Sequence, residues 1–354
     1  MTNRQTHPQQ NAGTKSQETD LAIDAQNVNV TYEDGTEAVR GVSLRIKKGD
    51  FFGFLGPNGA GKTTTIKSLV TLLHPTNGSV RINGYDTVAE PDKVRRSIGY
   101  MAQETSIDRE LTPRENLRLA CELYGVPGDQ RKDRIKALLD LVDLQDVADT
   151  RAGTFSGGMK KRLDAASVLV HRPPVVFLDE PTTGLDPEAR LRLWDYFERI
   201  NEQGTTVFLT TQYLEEADRL CDRLSLLQDG QIIATGSPDT LKSEFGTDVF
   251  EIALKNPLED RIKRAVQAVR RIDALEEPTI RTTEDGFTIR STGVRETAGD
   301  LFAALEDTGV SVSDFDIHSP TLDDVFLALT DGSSDTAGRA DTGMASISTQ
   351  EVST

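Results

Sequence analysis

The sequence has only two cysteines, Cys121 and Cys221. Thiols so few and so far apart give neither a disulfide framework nor a paired-cysteine metal site, and they suit a reducing cytoplasm. Histidine is scarce too, confined to His7, His74, His171 and His318. No run of eighteen apolar residues occurs, so nothing reads as a helix that crosses a bilayer. Positive charge is in deficit: 57 acidic against 40 basic residues leave a net charge of −17. That balance argues against nucleic acid held through its phosphates. Among the basic residues lysine is the minority, 13 against 27 arginines. Many carboxylates with few lysines are what a high-salt cytosol favours, because screening removes the self-repulsion. Residues 1–22 lack both the apolar stretch of a signal peptide and any period, and are expected to be disordered. The same is expected of the Ser/Thr/Gly/Asp-rich tail 331–354.

What is present centres on Gly56-Pro57-Asn58-Gly59-Ala60-Gly61-Lys62-Thr63-Thr64, which fits G-x-x-x-x-G-K-[ST] without a mismatch. The run before it, 50–55, reads as a short buried strand. Residues 63–73 read as a helix with Ile66, Leu69, Val70 and Leu73 on one face. Glycines let successive N–H groups turn inward, and the helix start adds partial positive charge, so the loop is built to wrap phosphates. A helix end contributes only about 0.3–1 kcal/mol to a neighbouring charge. Lys62 is therefore expected to supply the larger attraction to the β- and γ-phosphates, with the Thr63 hydroxyl as a ligand to Mg²⁺.

The chain has length for roughly two domains. Near-alternation over 22–32 and 39–46 predicts two strands around the turn 33–36. Tyr32 is either an ordinary strand aromatic or, ahead of the phosphate loop, a platform for adenine. Further strands are predicted over 78–84 and over 98–102, the latter ending at Gln103. Residues 112–147 read as a helical insertion, with caps at Thr112 and Asp129 and Pro113 in a first turn. In Phe155-Ser156-Gly157-Gly158-Met159 two glycines open a helix expected to run to about His171, its bare N-terminus facing something anionic. Four apolar residues, 175–178, then end in Asp179-Glu180, a buried parallel strand with its acids at the carboxyl end. Asp179 is placed to hold Mg²⁺ through water and Glu180 to polarise an attacking water. The turn 181–187, a helix over 188–203, a strand 205–209 ending at Thr210-Thr211-Gln212, a helix 214–221 and strands 223–227 and 231–234 complete an α/β block. Residues 248–330 alternate as strand, helix, strand, strand, helix, strand, which predicts a small α+β module of ferredoxin-like type. Regulation, dimerisation and passive bracing all remain open for it.

In order and spacing these motifs resemble the ATP-binding subunit of ABC transporters over 23–253. The resemblance implies a P-loop NTPase domain with a helical subdomain at about 104–170, an accessory domain over 254–330, and ATP and Mg²⁺ as ligands. It assigns Tyr32 to adenine stacking, the 56–64 loop to the phosphates, and Gln103 with Thr63 and Asp179 to Mg²⁺, Gln103 also facing the membrane subunit. Ser156, Gly157, Gly158 and Met159 look like the family's signature, which binds the γ-phosphate of ATP held by a second subunit. Asp186 then links the two sites across the dimer. One copy of each motif implies a homodimer closing head to tail on two ATP molecules. Two residues depart from the family pattern. Met159 replaces a glutamine in the signature, and Gln212 replaces the switch histidine. A glutamine cannot become cationic, but it can hydrogen-bond a γ-phosphate and orient water, so slower or differently tuned hydrolysis is expected, with Glu180 still required.

Residues 210–218 and 321–329 are also similar to the daunorubicin/doxorubicin-resistance type of exporter. That implies export of a small hydrophobic, drug-like or lipid-like compound through a separate integral membrane permease, with this subunit on the cytoplasmic side of the membrane. The alternatives are a soluble ABC-type ATPase and an ATP-gated regulatory protein. Ribosome-acting members usually carry two ATPase copies and chromosome-maintenance members a long coiled coil, and neither pattern is present in this sequence.

Overall fold

A computed structural model describes residues 20–337 apart from 247, 273–274 and 293–296. Of the disorder expected over 1–22 and 331–354, residues 1–19 and 338–354 fall outside the described residues, while Leu21 and Ala22 already belong to a strand. The chain divides into two compact units between Pro238 and Asp239.

The first unit opens with β1 (Leu21–Thr31) and β2 (Glu37–Lys47), paired antiparallel. β3 (Phe51–Leu55) follows, buried throughout, then α1 (Lys62–Leu69). α1 stops four residues short of the expected Leu73, because Thr71 turns left-handed at φ 68°. Ile66, Leu69 and Val70 are buried as the periodicity requires, and Leu73 packs partly buried beside them. β4 (Asn77–Ile82), the two-residue β5 (Tyr85–Asp86), α2 (Pro91–Arg96) and β6 (Ile98–Met101) come next; β5 and α2 were not foreseen.

The helical insertion is α3 (Pro113–Leu123) and α4 (Gly128–Leu141). Thr112 closes a full capping box with Glu115, as its position predicts. Asp129 does not cap α4: Pro127 holds the cap position and Asp129 lies in the first turn, where a negative charge still favours the helix start. α5 (Gly157–Ser167) ends before the expected His171. Arg134 of α4 donates to the carbonyls of Leu169 and Val170 just beyond it, the Leu169 oxygen also accepting from the Arg172 N–H at 2.9 Å. β7 (Val175–Asp179), α6 (Pro187–Glu202), β8 (Thr206–Thr211), α7 (Leu214–Leu220), β9 (Arg223–Gln228) and β10 (Gln231–Gly236) complete the unit.

Two sheets result. One is antiparallel, in the order β2-β1-β4-β5; the other runs β10-β9-β3-β8-β7-β6, parallel except for β10. The parallel strands are short apolar runs because both of their faces are covered. Phe52, Phe54 and Phe177 surround Phe208, with ring centroids 5.5–5.8 Å apart. Register then places the chemistry. Met101 lies opposite Leu178, Asp179 opposite Thr210, and Thr211 opposite Leu55, so the loops after β6, β7, β8 and β3 leave the same edge side by side. In an open α/β sheet that carboxyl edge is where ligands bind.

In the second unit α8 (Pro238–Phe245), absent from the sequence reading, precedes β11 (Asp248–Leu254). Then follow α9 (Glu259–Val269), β12 (Glu276–Thr282), β13 (Gly286–Thr292), α10 (Ala298–Asp307), β14 (Val312–His318) and α11 (Leu322–Ala337). The sheet is antiparallel, in the order β12-β13-β11-β14. With two helices between its strands, this is the ferredoxin-like arrangement the element order predicted. Phe250, Ile252 and Leu254 alternate into the core, where Ile262, Ala265 and Val269 of α9 meet them. β11 is central to this sheet, so the unit boundary falls before β11, in keeping with the element pattern over 248–330 and not with the end of the family resemblance at 253. Helix α11 also runs on to Ala337, so residues 331–337 are helical and not an unstructured tail. Thr321 caps α11 through Asp324, and Asp324 also pairs with Arg290 of β13 at 3.1 Å.

Candidate nucleotide site

The loop 56–61 joins β3 to α1 at the carboxyl edge of the parallel sheet. Two of its glycines are required by their surroundings. A Cβ on Gly56 would lie 2.3 Å from the Leu227 carbonyl oxygen. One on Gly61, at φ 103°, would lie 2.4 Å from that of Ala38. Lys62 opens α1 and is only 4 % exposed. Its Nζ donates to the carbonyls of Gly56 at 2.8 Å and Pro57 at 3.2 Å, and pairs with Glu180 Oε1 at 3.1 Å. The lysine thus folds back over the phosphate loop.

Thr63 Oγ1 donates to Asp179 Oδ1 at 3.4 Å, and Thr210 Oγ1 donates to the same oxygen at 2.6 Å. Burial raises the pKa of Asp179 above the ordinary carboxylate value; the Thr210 hydrogen bond opposes the rise and the charge of Glu180 adds to it. A hydroxyl and a carboxylate oxygen this close form a hard-oxygen donor pair suited to Mg²⁺. Gln103 sits with them, but its amide donates to Glu180 Oε2 at 3.2 Å.

Glu180 follows β7 with a left-handed backbone, φ 47°. That conformation costs a non-glycine residue about 1–2 kcal/mol. It is held because the Glu180 N–H donates to the carbonyl and hydroxyl oxygens of Thr210, at 3.0 and 3.1 Å. The strained turn aims the carboxylate at Lys62 and Gln103. Gln212 leaves the end of β8 half-buried, one residue past Thr211. Tyr32, just beyond β1, is 41 % exposed while its hydroxyl shares a 2.9 Å hydrogen bond with Thr64 of α1.

The structure therefore gathers Lys62, Thr63, Gln103, Asp179 and Glu180, with Tyr32 and Gln212 on flanking segments. It does not bring the signature to them. Among the described residues, no hydrogen bond or ion pair joins 156–159 to the 56–64 loop. Ser156 caps α5, accepting from the Met159 N–H at 3.3 Å, and with Gly157 it is exposed. Gly158 has a packing reason: its Cβ would meet that of Ala189 in α6 at 2.8 Å. Met159 is half-buried. Asp186, also exposed, caps α6 through the Ala189 N–H at 2.8 Å.

Sequence reasoning missed the supports of these groups. Thr210 holds both Asp179 and the Glu180 backbone. Glu216 of α7 is fully buried and accepts from Thr182 Oγ1 at 2.9 Å and from Trp194 Nε1 at 2.8 Å, tying the turn after Glu180 to α6. Burial raises the pKa of Glu216. Lys161 and Asp164 of α5 are buried beside the Gln103 segment. Only Thr210 carried a signal, a polar residue closing the apolar run 207–209; Glu216, Lys161 and Asp164 stand among other charged residues.

The profile of the ABC transporter family matches residues 39–183, and that of the C-terminal domain of DrrA1-3-like ATP-binding proteins matches 236–330. The chain is 42 % identical to the daunorubicin/doxorubicin resistance ATP-binding protein DrrA of Streptomyces peucetius, across 87 % of this chain and 92 % of that one. It is 38 % identical to the doxorubicin resistance ATP-binding protein DrrA of Mycobacterium tuberculosis, across 88 % and 94 %. Among solved structures it resembles cbiO1 of Clostridium perfringens, part of an ABC transporter complex, with TM-score 0.60 at 27 % identity over 64 % of this chain and 92 % of that one. It also resembles a dimeric ATP-binding cassette in a post-hydrolysis state bound to ADP and Pi, with TM-score 0.56 at 29 % identity over 61 % and 98 %. With likeness over most of its length and a phosphate loop, acidic strand end and signature in one order, the chain belongs to the ATP-hydrolysing ATP-binding proteins of ABC transporters, in the branch of the daunorubicin/doxorubicin resistance ATP-binding proteins.

Proposed function

We propose that this subunit powers export of a small hydrophobic compound through a separate membrane permease, by pairing with a second copy of itself around two ATP molecules. The observation that carries the pairing is the separation of the two half-sites. Ser156 and Gly157 at the start of α5 are exposed and unjoined to the phosphate loop of their own chain. Backbone N–H groups at a helix start bind anions, so the γ-phosphate partner of this signature comes from the twin. Asp186, exposed at the start of α6, is the residue proposed to link the two sites.

Within each half-site Lys62 exchanges Glu180 for the β- and γ-phosphates, and the exposed Tyr32 stacks its ring on adenine. Released from Lys62, Glu180 polarises the attacking water, held by Gln103 and its own strained turn. Gln212 hydrogen-bonds the γ-phosphate and orients that water. Thr63 and Asp179, with Gln103 nearby, would hold Mg²⁺, which supplies charge neutralisation of the phosphates when bound.

A separate permease is supported by the relatives' names and by the absence, among the described residues, of a helix long and apolar enough to cross a membrane. The helical insertion offers it a surface: Leu119 and Leu123, one turn apart on α3, are 44 % and 77 % exposed, with Tyr124 beside them. The subunit then sits peripherally on the cytoplasmic face, and its acidic, lysine-poor composition suits a cytosol rich in salt. Co-expression with a multi-span hydrophobic protein, sought among the reading frames next to its gene, tests the reading. Co-purification in detergent is expected, with ATP turnover that responds to hydrophobic drugs. A subunit that hydrolyses ATP but never binds a membrane protein would overturn it.

A further inference from the structure

Two charged side chains of α5 are buried outside the phosphate site. Lys161 is 7 % exposed and Asp164 1 %, and three positions apart they leave the helix on one face. They make no ion pair with each other among the described residues; both reach the same short segment after β6. Lys161 Nζ donates to the Gln103 carbonyl at 2.5 Å. Asp164 Oδ1 accepts from the Ser106 hydroxyl at 2.7 Å and from the Ser106 N–H at 3.3 Å, while its Oδ2 is buried without a partner.

Burying two charges is costly, and apolar side chains of similar volume would stabilise this helix as well or better. Burial lowers the pKa of Lys161 and raises that of Asp164. What the pair achieves is position: it fixes both ends of 103–106 against α5. Gln103 begins that segment and touches Glu180 Oε2 at 3.2 Å. The same helix begins with the exposed Ser156 and Gly157, about 10 Å along its axis from Asp164 at 1.5 Å per residue.

We propose that Lys161 and Asp164 are positioning residues that clamp the 103–106 segment to α5, so that engagement of the signature by the twin is transmitted to Gln103 and Glu180. The helix is the rigid lever and the segment the part it moves. This rests on the reading of Glu180 as the group that activates water.

The test uses the full chain. Lys161→Met keeps the stem and removes the donor, and Lys161→Arg restores a donor. For Lys161→Met the expected result is a fall in kcat of about tenfold or more, since small misplacements of catalytic groups cost up to about a hundredfold. KM and the ADP Kd stay within about twofold, the thermal midpoint does not fall, and hydrogen exchange at amides 104–107 speeds up while β7 is unchanged. Lys161→Arg recovers most of kcat. Asp164→Asn, which keeps an acceptor for Ser106, is milder than Asp164→Ala. The proposal is overturned if Lys161→Met leaves kcat intact, with or without faster exchange, or if kcat falls only in step with a lowered midpoint. Glu180→Gln run alongside separates the two readings. If that variant hydrolyses ATP at the wild-type rate, the role of Glu180 fails; if it is inactive while Lys161→Met is normal, the clamp alone fails.

Discussion

Glu180→Gln should tighten nucleotide binding even as it abolishes turnover. In the structure Lys62 and Glu180 pair at 3.1 Å with 4 % and 7 % of their side chains exposed, so nucleotide phosphates must compete for the lysine. At an effective permittivity of 20 the attraction across that distance is about 5 kcal/mol. Most of it offsets the lost hydration of the two ions, and about 1–3 kcal/mol is a reasonable net for the competition. The amide variant removes the competitor and the repulsion between carboxylate and phosphate, which act in the same direction. The expected gain is roughly 5–150-fold in affinity. ADP is the ligand to titrate, because it lacks the γ-phosphate that the twin's signature would hold and so separates this effect from pairing. Trp194, the single tryptophan, is buried against Glu216 and offers an intrinsic fluorescence signal. AMP serves as the control, since its one phosphate does not extend to Lys62. An ADP Kd that is unchanged or weaker, or an equal gain for AMP, would refute the reasoning.

Further outcomes are expected at Glu216, at Gln212 and with added salt. Glu216→Ala leaves the Thr182 hydroxyl and the Trp194 N–H buried without an acceptor and should destabilise the first unit by about 2–4 kcal/mol, read as a shift of the urea midpoint. Glu216→Gln keeps an acceptor and removes the titration. Because the folded pKa of Glu216 is raised, its stabilising contribution is full below the unfolded value and is lost as pH rises through the folded one, so wild type should weaken relative to the amide as pH increases; parallel pH curves would contradict this. Gln212→His supplies a titratable group at the position proposed to face the γ-phosphate and should raise the single-turnover rate severalfold, whereas a loss of rate would mean that the glutamine is the better-fitted group here. With a net charge of −17 the thermal midpoint should climb as KCl rises from about 0.1 to 2 M, and a flat or falling midpoint would contradict the reading of a high-salt protein.

The phosphate loop and the acidic strand end were legible because their physics is local: glycines where the backbone turns, apolar residues where a strand is buried, a lysine one step on. The order of elements carried the α/β block of the first unit, though not its separate antiparallel sheet, and the ferredoxin-like second unit, since strand–helix alternation leaves few topologies. Boundaries were less legible. The element pattern over 248–330 claimed β11 for the second module while the family resemblance ran to 253, because nothing in its six or seven residues says which sheet it joins; its pairing with β13 and β14 decides for the second. Helix ends at Leu69 and Ser167 depend on a left-handed Thr71 and on Arg134 arriving from another helix. In 321–329 much of the pattern that marks the branch is explained by packing and capping, with Leu322 and Val325 buried and Thr321 capping α11 by accepting from the Asp324 N–H. Thr210, Glu216, Lys161 and Asp164 could not be assigned from sequence, because each acts on a segment 30 to 60 positions away or on a turn brought near only by the fold.

The central claim is that each nucleotide pocket is completed by a second copy of the chain. Lys62→Ala spoils the phosphate loop and leaves the signature; Ser156→Arg spoils the signature and leaves the loop. Each variant alone should be nearly inactive. Mixed in equal amounts and allowed to exchange, half of the dimers hold one intact composite site and one doubly defective site, so roughly a quarter of the wild-type ATPase rate should return. A mixture no more active than either variant alone, or a Ser156→Arg protein that turns over ATP unaided, would contradict the account.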